Sequence, residues 1–263
     1  MIGKEDIAEY AKSLGASLVG FAPVSRWGER LDLPRDFHPG SIWPSVMTVI
    51  CVSMPSLLPI VETKVSNLYR AQYDIINRGL DETTYLLALY LNNSGCASIP
   101  ICRDGYGEQK MLRKNPIAAF SHVWAAYYAG LGTIGWNHTL ITRKFGPRHR
   151  LASVFTVLEI EGDPMIKEEL CIRCGICEKS CPEGVYSGTP GVKNSYMNKT
   201  ACAGQTFDGP YNHCGFCIKT CPVGDDRKLY LGASNEEYSK AHADISQWNM
   251  GVFATLGSME AKG

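Results

Sequence analysis

The sequence predicts an α+β protein in three stretches: a core over residues 1–164, a compact cysteine-rich unit over 165–225, and an extension over 226–263 that packs back on the core. Three observations point there. Apolar periodicity alternates between helical and strand spacing through about residue 160. Between Glu161 and Glu168 that alternation gives way to cysteines, glycines and turn residues. Eight of the eleven cysteines then fall into two ordered arrays.

The chain opens on a helix, because Ile7, Tyr10, Ala11 and Leu14 share one face and Gly15 follows as a terminator. Ser17–Ala22 reads as a buried strand, Pro23–Pro44 as a loop rich in proline, glycine and tryptophan, and Val46–Met54 as a second strand bounded by prolines. Val61–Asn93 contains no proline and carries Leu68, Ile75, Ile76, Leu80, Leu86, Leu87 and Leu91, which gives one helix or two broken near Gly79. Ala97–Cys102 is a short strand, Pro116–Ala129 a helix, Thr139–Thr142 a strand, and Leu151–Ile160 a longer strand rich in β-branched residues. The scattered Cys51, Cys96 and Cys102 fall in predicted strands and read as small buried hydrophobes.

The first cysteine array, Cys171-Ile-Arg-Cys174-Gly-Ile-Cys177-Glu-Lys-Ser-Cys181-Pro182, is the ferredoxin run C-x2-C-x2-C-x3-C-P. The second, Cys214-Gly-Phe-Cys217-Ile-Lys-Thr-Cys221-Pro222, lacks that run's first cysteine, and Cys202 stands twelve positions upstream of Cys214 to supply it. Closely spaced thiolates wrap one cubane, while the cysteine held off by three residues and turned by proline reaches the neighbouring one. The spacing thus predicts two [4Fe-4S] clusters, one on Cys171, Cys174, Cys177 and Cys221, the other on Cys202, Cys214, Cys217 and Cys181. Zinc would leave the third cysteine of each close run without a role. Disulfides are disfavoured in a long chain whose N-terminus shows no secretion signal.

Lysine plus arginine equals aspartate plus glutamate, 26 of each, so no long-range field attracts nucleic acid or an anionic membrane. The best apolar span, Ser45–Val61, is broken by Pro55 and Pro59 and falls short of the roughly 20 residues a bilayer needs. A cytoplasmic protein with no membrane and no nucleic-acid partner is the expectation.

Ala129-Gly130-Leu131-Gly132-Thr133-Ile134-Gly135-Trp136 formally matches the dinucleotide fingerprint G-x-G-x-x-G. The fingerprint must follow a strand and open a helix, whereas these glycines follow a predicted helix and run into a predicted strand. A helix C-cap and turn is the plainer reading.

The whole stretch Ala129–Thr156, with Gly130-Leu-Gly-Thr-Ile-Gly-Trp-Asn-His-Thr-Leu-Ile-Thr-Arg-Lys-Phe-Gly-Pro-Arg-His-Arg150 inside it, closely resembles a segment of reductive dehalogenases. It is similar, more loosely, to epoxyqueuosine reductases. In both families this segment precedes the same pair of cysteine arrays. The resemblance covers roughly residues 115–223, with a weaker match at the opening helix and the strand ending Val19-Gly20-Phe21-Ala22. It implies a nitroreductase-like, cobalamin-binding core followed by a bacterial-ferredoxin-like two-cluster domain. By the same resemblance Gly130, Gly132, Leu140, Thr142, Phe145, Gly146 and Pro147 line the corrinoid pocket, and Arg148 and Arg150 either grip a corrinoid carboxamide or phosphate or pair with surface acids. Asp36-Phe37-His38-Pro39-Gly40 approaches the histidine-ligated corrinoid motif but has the wrong glycine spacing and reads as a loop.

Departures from these families limit the carry-over. Pro116 stands where epoxyqueuosine reductases carry an acidic proton donor, and the chain ends about forty residues after Cys221, without their helical-repeat extension. The export signal usual in respiratory dehalogenases is not seen. Tyr106 stands about where dehalogenases place an active-site tyrosine, and His122 and Tyr128 are fallback proton donors. Each is also of a type that commonly packs a ring and satisfies one hydrogen bond.

The resulting expectation is an oxidoreductase fed by a low-potential donor such as a ferredoxin, flavodoxin or reductase, passing electrons through two clusters to a corrinoid that reduces a small molecule. The alternatives are a non-enzymatic electron-transfer protein serving a partner enzyme, and a flavin in the same pocket.

Overall fold

The computed structural model describes residues 2–28, 38–62, 66–101, 103, 118–187, 197–207 and 214–231. In chain order the elements are α1 (Lys4–Ser13), β1 (Leu18–Pro23), a 3-10 turn (Val24–Trp27), α2 (Pro39–Ile42), β2 (Thr48–Pro55), α3 (Leu58–Val61), α4 (Ser66–Asn93) and β3 (Ser98–Ile101). There follow α5 (His122–Tyr128), β4 (Thr133–Ile134), β5 (Leu140–Ile141), β6 (His149–Thr156), and the short helices α6 (Ile176–Lys179), α7 (Lys199–Phe207), α8 (Phe216–Lys219) and α9 (Asp226–Leu231). Among the described residues no helix is long and apolar enough to cross a membrane.

The main sheet runs β1-β2-β6-β3 with every neighbouring pair antiparallel. Side chains alternate across it with period two, and both faces are covered. Phe21, Ile50, Val52, Ala152 and Val154 join Ile7 and Ala11 of α1 and Leu80, Leu87 and Leu91 of α4. Ala22, Val49, Cys51 and Phe155 join Ala125, Ala126 and Tyr128 of α5 together with Trp27 and Phe120. Burying each such large side chain contributes about 1.5–3 kcal/mol, so the two clusters fix the layer order. At Gly20 the layers touch directly, because a Cβ there would lie 2.6 Å from the Ala129 carbonyl oxygen at the end of α5.

Most predicted elements are present, with shifted ends. Gly15 turns the chain at φ +104 after α1, as its position implies. α4 is continuous through Gly79, whose bare face accommodates the Met54 side chain. The predicted helix Pro116–Ala129 starts only at His122, because Ser121 caps it by accepting from the Trp124 amide at 3.4 Å; residues 116 and 117 lie outside the described residues. β6 stops at Thr156 rather than Ile160 because the Thr48 hydroxyl donates to Leu158 O at 2.7 Å and accepts from Ile160 N at 3.1 Å, drawing the chain off the ladder. Cys51 lies buried in β2, Cys96 lies in the turn before β3 rather than in a strand, and Cys102 falls outside the described residues. His38 caps α2 through Nδ1, which accepts from Gly40 N at 3.0 Å.

The stretch after β6 is fastened to the edge strand β1. Asp163 accepts from Phe21 N at 2.9 Å, donates its own amide to Phe21 O at 3.0 Å, and pairs with Lys4 at 2.6 Å. The cysteine-rich unit is anchored at a second place. Thr142 and Gly146 exchange backbone hydrogen bonds of 3.0 and 2.9 Å, and Arg143 O and Lys144 O accept from the amides of Asp225 and Asp226. Gly146 has φ +52, and a Cβ there would stand 1.8 Å from the Val223 carbonyl oxygen.

Two predictions follow from these contacts. Gly146→Ala puts a side chain in the left-handed region and into Val223, so it should destabilise by more than about 1 kcal/mol in denaturant unfolding. Gly204→Ala, in helix α7 with nothing within 4 Å, should be neutral or stabilising. The second concerns His149. Its Nε2 donates to Leu140 O at 3.0 Å, so Nδ1 accepts from Ser53 Oγ at 3.2 Å and the ring is neutral. Burial, only partly countered by that carbonyl and reinforced by Arg148 and Arg150, pushes the imidazole down to about 4. The unfolded chain binds the proton first, near pH 6.5, so stability is full above that pH and falls towards pH 4 by up to ~1.4 kcal/mol per pH unit. Urea unfolding at several pH values should show His149→Gln with a shallower slope than wild type; equal slopes would mean that the imidazole titrates normally.

Candidate functional site

The two cysteine arrays fold by local backbone geometry that their spacing demands. Arg173 at φ +56 and Gly175 at φ +72 turn the chain between Cys171 and Cys177, and the single turn α6 then carries Cys177. In the second array Gly215 opens the single turn α8, which carries Cys217. Ser180 and Thr220 occupy matching places, each immediately before the Cys-Pro pair, and their buried hydroxyls meet at 3.1 Å. The doubled motif therefore packs face to face through equivalent residues.

The thiols sort into two groups by their electrostatic neighbours. Cys171, Cys174 and Cys221 act on Cys177, and Cys171 and Cys174 act on Cys221. Cys181 acts on Cys202, while Cys181 and Cys202 both act on Cys214 and Cys217. The last cysteine of each array thus sits with the first members of the other. Cys177 also feels Cys217, which marks where the two groups approach. Burial is the leading cause that raises all five of these thiols above the ordinary cysteine range, with neighbouring thiols adding to it: Cys214 to about 11, Cys217 and Cys221 to about 12.

Among the described residues no three His, Cys, Asp or Glu side chains close on a single-ion site. Cys171, Cys174, Cys177 and Cys221 instead line a small cleft, partly open to solvent, whose walls include Trp136, Asn137 and Ile141. The Trp136 amide donates to Cys171 Sγ at 3.5 Å, and the buried indole Nε1 has no hydrogen-bond partner. A cubane fits this setting: its irons offset the charge of four crowded thiolates, and its sulfides can accept from the indole. At the second group Gly215 lies against the Tyr69 ring of α4, and Tyr186 is an electrostatic neighbour of Cys217.

The other predicted site residues are placed as follows. Tyr106 and Pro116 lie outside the described residues. His122 and Tyr128 are buried in α5; His122 Nδ1 meets Ser153 Oγ at 2.9 Å, and the Tyr128 ring packs 4.7 Å from Trp27. Leu140, Thr142, Phe145 and Pro147 are buried around the β5–β6 connection. Gly130 and Gly132 admit the chain's own backbone, since a Cβ would stand 2.2 Å from Pro164 O or Ile141 O respectively.

Arg148 corrects one expectation. It is fully buried, and its guanidinium donates to both carboxylate oxygens of Asp226 at 2.6 and 2.7 Å, to Cys221 O at 2.8 Å and to Val223 O at 2.6 Å. Of the two expected roles it takes the pairing with an acid, one largely buried rather than at the surface, and it holds the backbone of the second cysteine array as well. Arg150 stacks over the Tyr73 ring at 4.0 Å. Sequence reasoning missed Arg227, also fully buried, which donates to Cys221 O at 3.3 Å and pairs with Glu62. It also missed β4, which pairs with β5, and the Trp136–His138 tip of that hairpin, where Asn137 Nδ2 donates to Cys217 O at 3.4 Å.

Comparison with known proteins agrees with this geometry. Residues 164–187 and 212–224 each match a 4Fe-4S binding domain, with Cys202 outside both matches. Together with the thiol groups they fit two [4Fe-4S] clusters. The chain is 28% identical over 229 residues to the tetrachloroethene reductive dehalogenase of Dehalobacter restrictus, covering 70% of this chain and 39% of that protein. It is 26% identical over 254 residues to the epoxyqueuosine reductase of Listeria monocytogenes, covering 83% and 64%. The chain thus spans less than two thirds of the length of either relative. A solved catabolic reductive dehalogenase superposes with a TM-score of 0.69 at 19% identity, covering 92% of this chain and 36% of that one, and shares its fold. The relatives are reductive dehalogenases and epoxyqueuosine reductases, the two families that the glycine-rich segment and the cysteine arrays resemble.

Proposed function

We propose that the chain is an iron-sulfur oxidoreductase that relays electrons through two [4Fe-4S] clusters into its α+β core, where a corrinoid reduces a small-molecule substrate. The observation that carries this reading is the pair of interleaved thiol groups, which approach each other at Cys177 and Cys217. Residues 165–225 would form the cluster domain, residues 1–164 the corrinoid core, nitroreductase-like by resemblance, and residues 226–263 its cover, of which 232–263 lie outside the described residues. Cys171, Cys174, Cys177 and Cys221 would ligate one cluster, and Cys181, Cys202, Cys214 and Cys217 the other. Cys174 is exposed, so electrons from a low-potential donor would enter at the first cluster and leave through the second, which lies against Tyr69 of α4.

Support for the corrinoid comes from the relatives. One reductive dehalogenase of the same fold is linked to B12-dependent dehalogenation. When bound, a corrinoid would supply a low-valent cobalt able to break a bond to carbon, chemistry that clusters alone lack. In this chain the glycines at 130, 132 and 146 and the Arg148 side chain serve internal contacts, so the corrinoid's polar holders must be sought among other residues. Tyr106 is the proposed proton donor, with His122 and Tyr128 behind it.

Metal analysis tests the reading. Anaerobically expressed with cobalamin available, the chain should hold about eight irons, about eight sulfides and one cobalt. Eight irons with no cobalt and no flavin would favour an electron-transfer protein. Cys202→Ala should lower the iron content or leave a three-iron cluster visible by electron paramagnetic resonance, with the other cluster intact; an unchanged spectrum would remove Cys202 from the ligands.

A further inference from the structure

We infer that two buried ion pairs, Arg148 with Asp226 and Arg227 with Glu62, raise the reduction potential of the cluster that Cys171, Cys174, Cys177 and Cys221 ligate. Each pair sets its cation against the Cys221 carbonyl and keeps its carboxylate nearer the solvent. The inference rests on the two-cluster reading above and adds an electrostatic role for residues outside the ligand set.

Both guanidinium groups converge on one carbonyl of a cluster ligand. Arg148 gives Nε and Nη2 to the two Asp226 oxygens at 2.7 and 2.6 Å, while Nη1, on the opposite side of the planar group from that edge, donates to Cys221 O at 2.8 Å. Arg227 donates from Nε to the same oxygen at 3.3 Å, from Nη1 to Glu62 and from Nη2 to Lys219 O. Both arginine side chains are 0% exposed, whereas those of Asp226 and Glu62 are each 14% exposed. The cations are therefore the deeper members of both pairs, and each meets its carboxylate through different N–H groups from the one it gives to Cys221.

A cluster gains negative charge on reduction, so a cation close by stabilises the reduced form more than the oxidised form and raises the potential. The two charges of an ion pair would cancel at the cluster if they were equally near and equally screened. Here the cation bonds to the ligand's own main chain out of contact with water, while the carboxylate is partly hydrated and so more strongly screened. The field of the cation prevails, and it acts most on the cluster to which Cys221 belongs. The thiol itself agrees with that balance: burial raises Cys221, and Arg148 is the largest influence opposing it.

The test is a redox titration of the cluster-loaded full chain, followed by electron paramagnetic resonance, in which the first cluster's midpoint is the one that Cys202→Ala leaves in place. Asp226→Asn keeps the shape of the side chain and an acceptor for the guanidinium but removes the charge that offsets Arg148. The first cluster's midpoint should therefore move up, and the other should move less. Glu62→Gln should shift the same midpoint in the same direction through Arg227. Asp225→Asn is the control, because that carboxylate is 60% exposed and pairs with Lys228 at the surface, where water and salt screen it, so both midpoints should stay. A first-cluster midpoint that falls, or one that moves as far with Asp225→Asn, would overturn the inference. Should Asp226→Asn lose iron, Glu62→Gln decides alone, and loss of iron from both would make the pairs anchors only and overturn it too. A wild-type chain that assembles no cubane overturns the two-cluster reading and this inference with it, whereas two intact clusters with unmoved midpoints overturn the inference alone.

Discussion

The buried guanidinium of Arg148 is the contact through which the sheet and the cysteine arrays become one structure. Its planar fork matches the Asp226 carboxylate bidentately, and its remaining reach satisfies the carbonyls of Cys221 and Val223. A charge with no exposure is tolerable only when paired and hydrogen-bonded in this way, and removing one partner of such a pair typically costs about 3–5 kcal/mol. Arg227 repeats the arrangement from α9, donating to the same Cys221 carbonyl while paired with Glu62 beside α3. Because Cys221 lies with the thiols of the first array, fixing its backbone positions both thiol groups relative to the sheet.

The glycine-rich stretch serves the same end. Its spacing suggests a cradle for a ligand, yet the groups approaching Gly130, Gly132 and Gly146 are carbonyls of Pro164, Ile141 and Val223. Each glycine lets two pieces of backbone come closer than any Cβ would permit. The connection after β6, the β4–β5 hairpin and the second array are drawn together, and the hairpin tip reaches the thiols through the Trp136 amide and the Asn137 side chain.

Much of this was legible in the sequence because the relevant signals are local. Apolar, β-branched runs of strand length marked β1, β2 and β6, the proline-free apolar run marked α4, and cysteine spacing marked which thiols would gather. Element ends were less legible where a side chain intervenes, as Thr48 does at the end of β6 and Ser121 does at the start of α5. The roles of Arg148 and Arg227 were not legible at all, since each depends on a partner dozens of residues away: Asp226 and Glu62. A faint signal did exist for the face-to-face packing, in that Ser180 and Thr220 occupy the same place in the two arrays.

The electrostatics of the thiols explain why these anchors are buried cations. Burial and mutual repulsion push Cys217 and Cys221 up to about 12, so a chain without metal holds them as neutral thiols. Loading a cluster would release those protons and replace them with iron, coupling assembly of the arrays to the metal. The cluster–thiolate unit would still carry net negative charge, and Arg148 is a buried counter-charge beside it, lowering the Cys221 thiol against the effect of burial. The sheet is held by its two apolar clusters, whereas the cysteine-rich unit is positioned by buried arginines that hold the Cys221 and Val223 carbonyls.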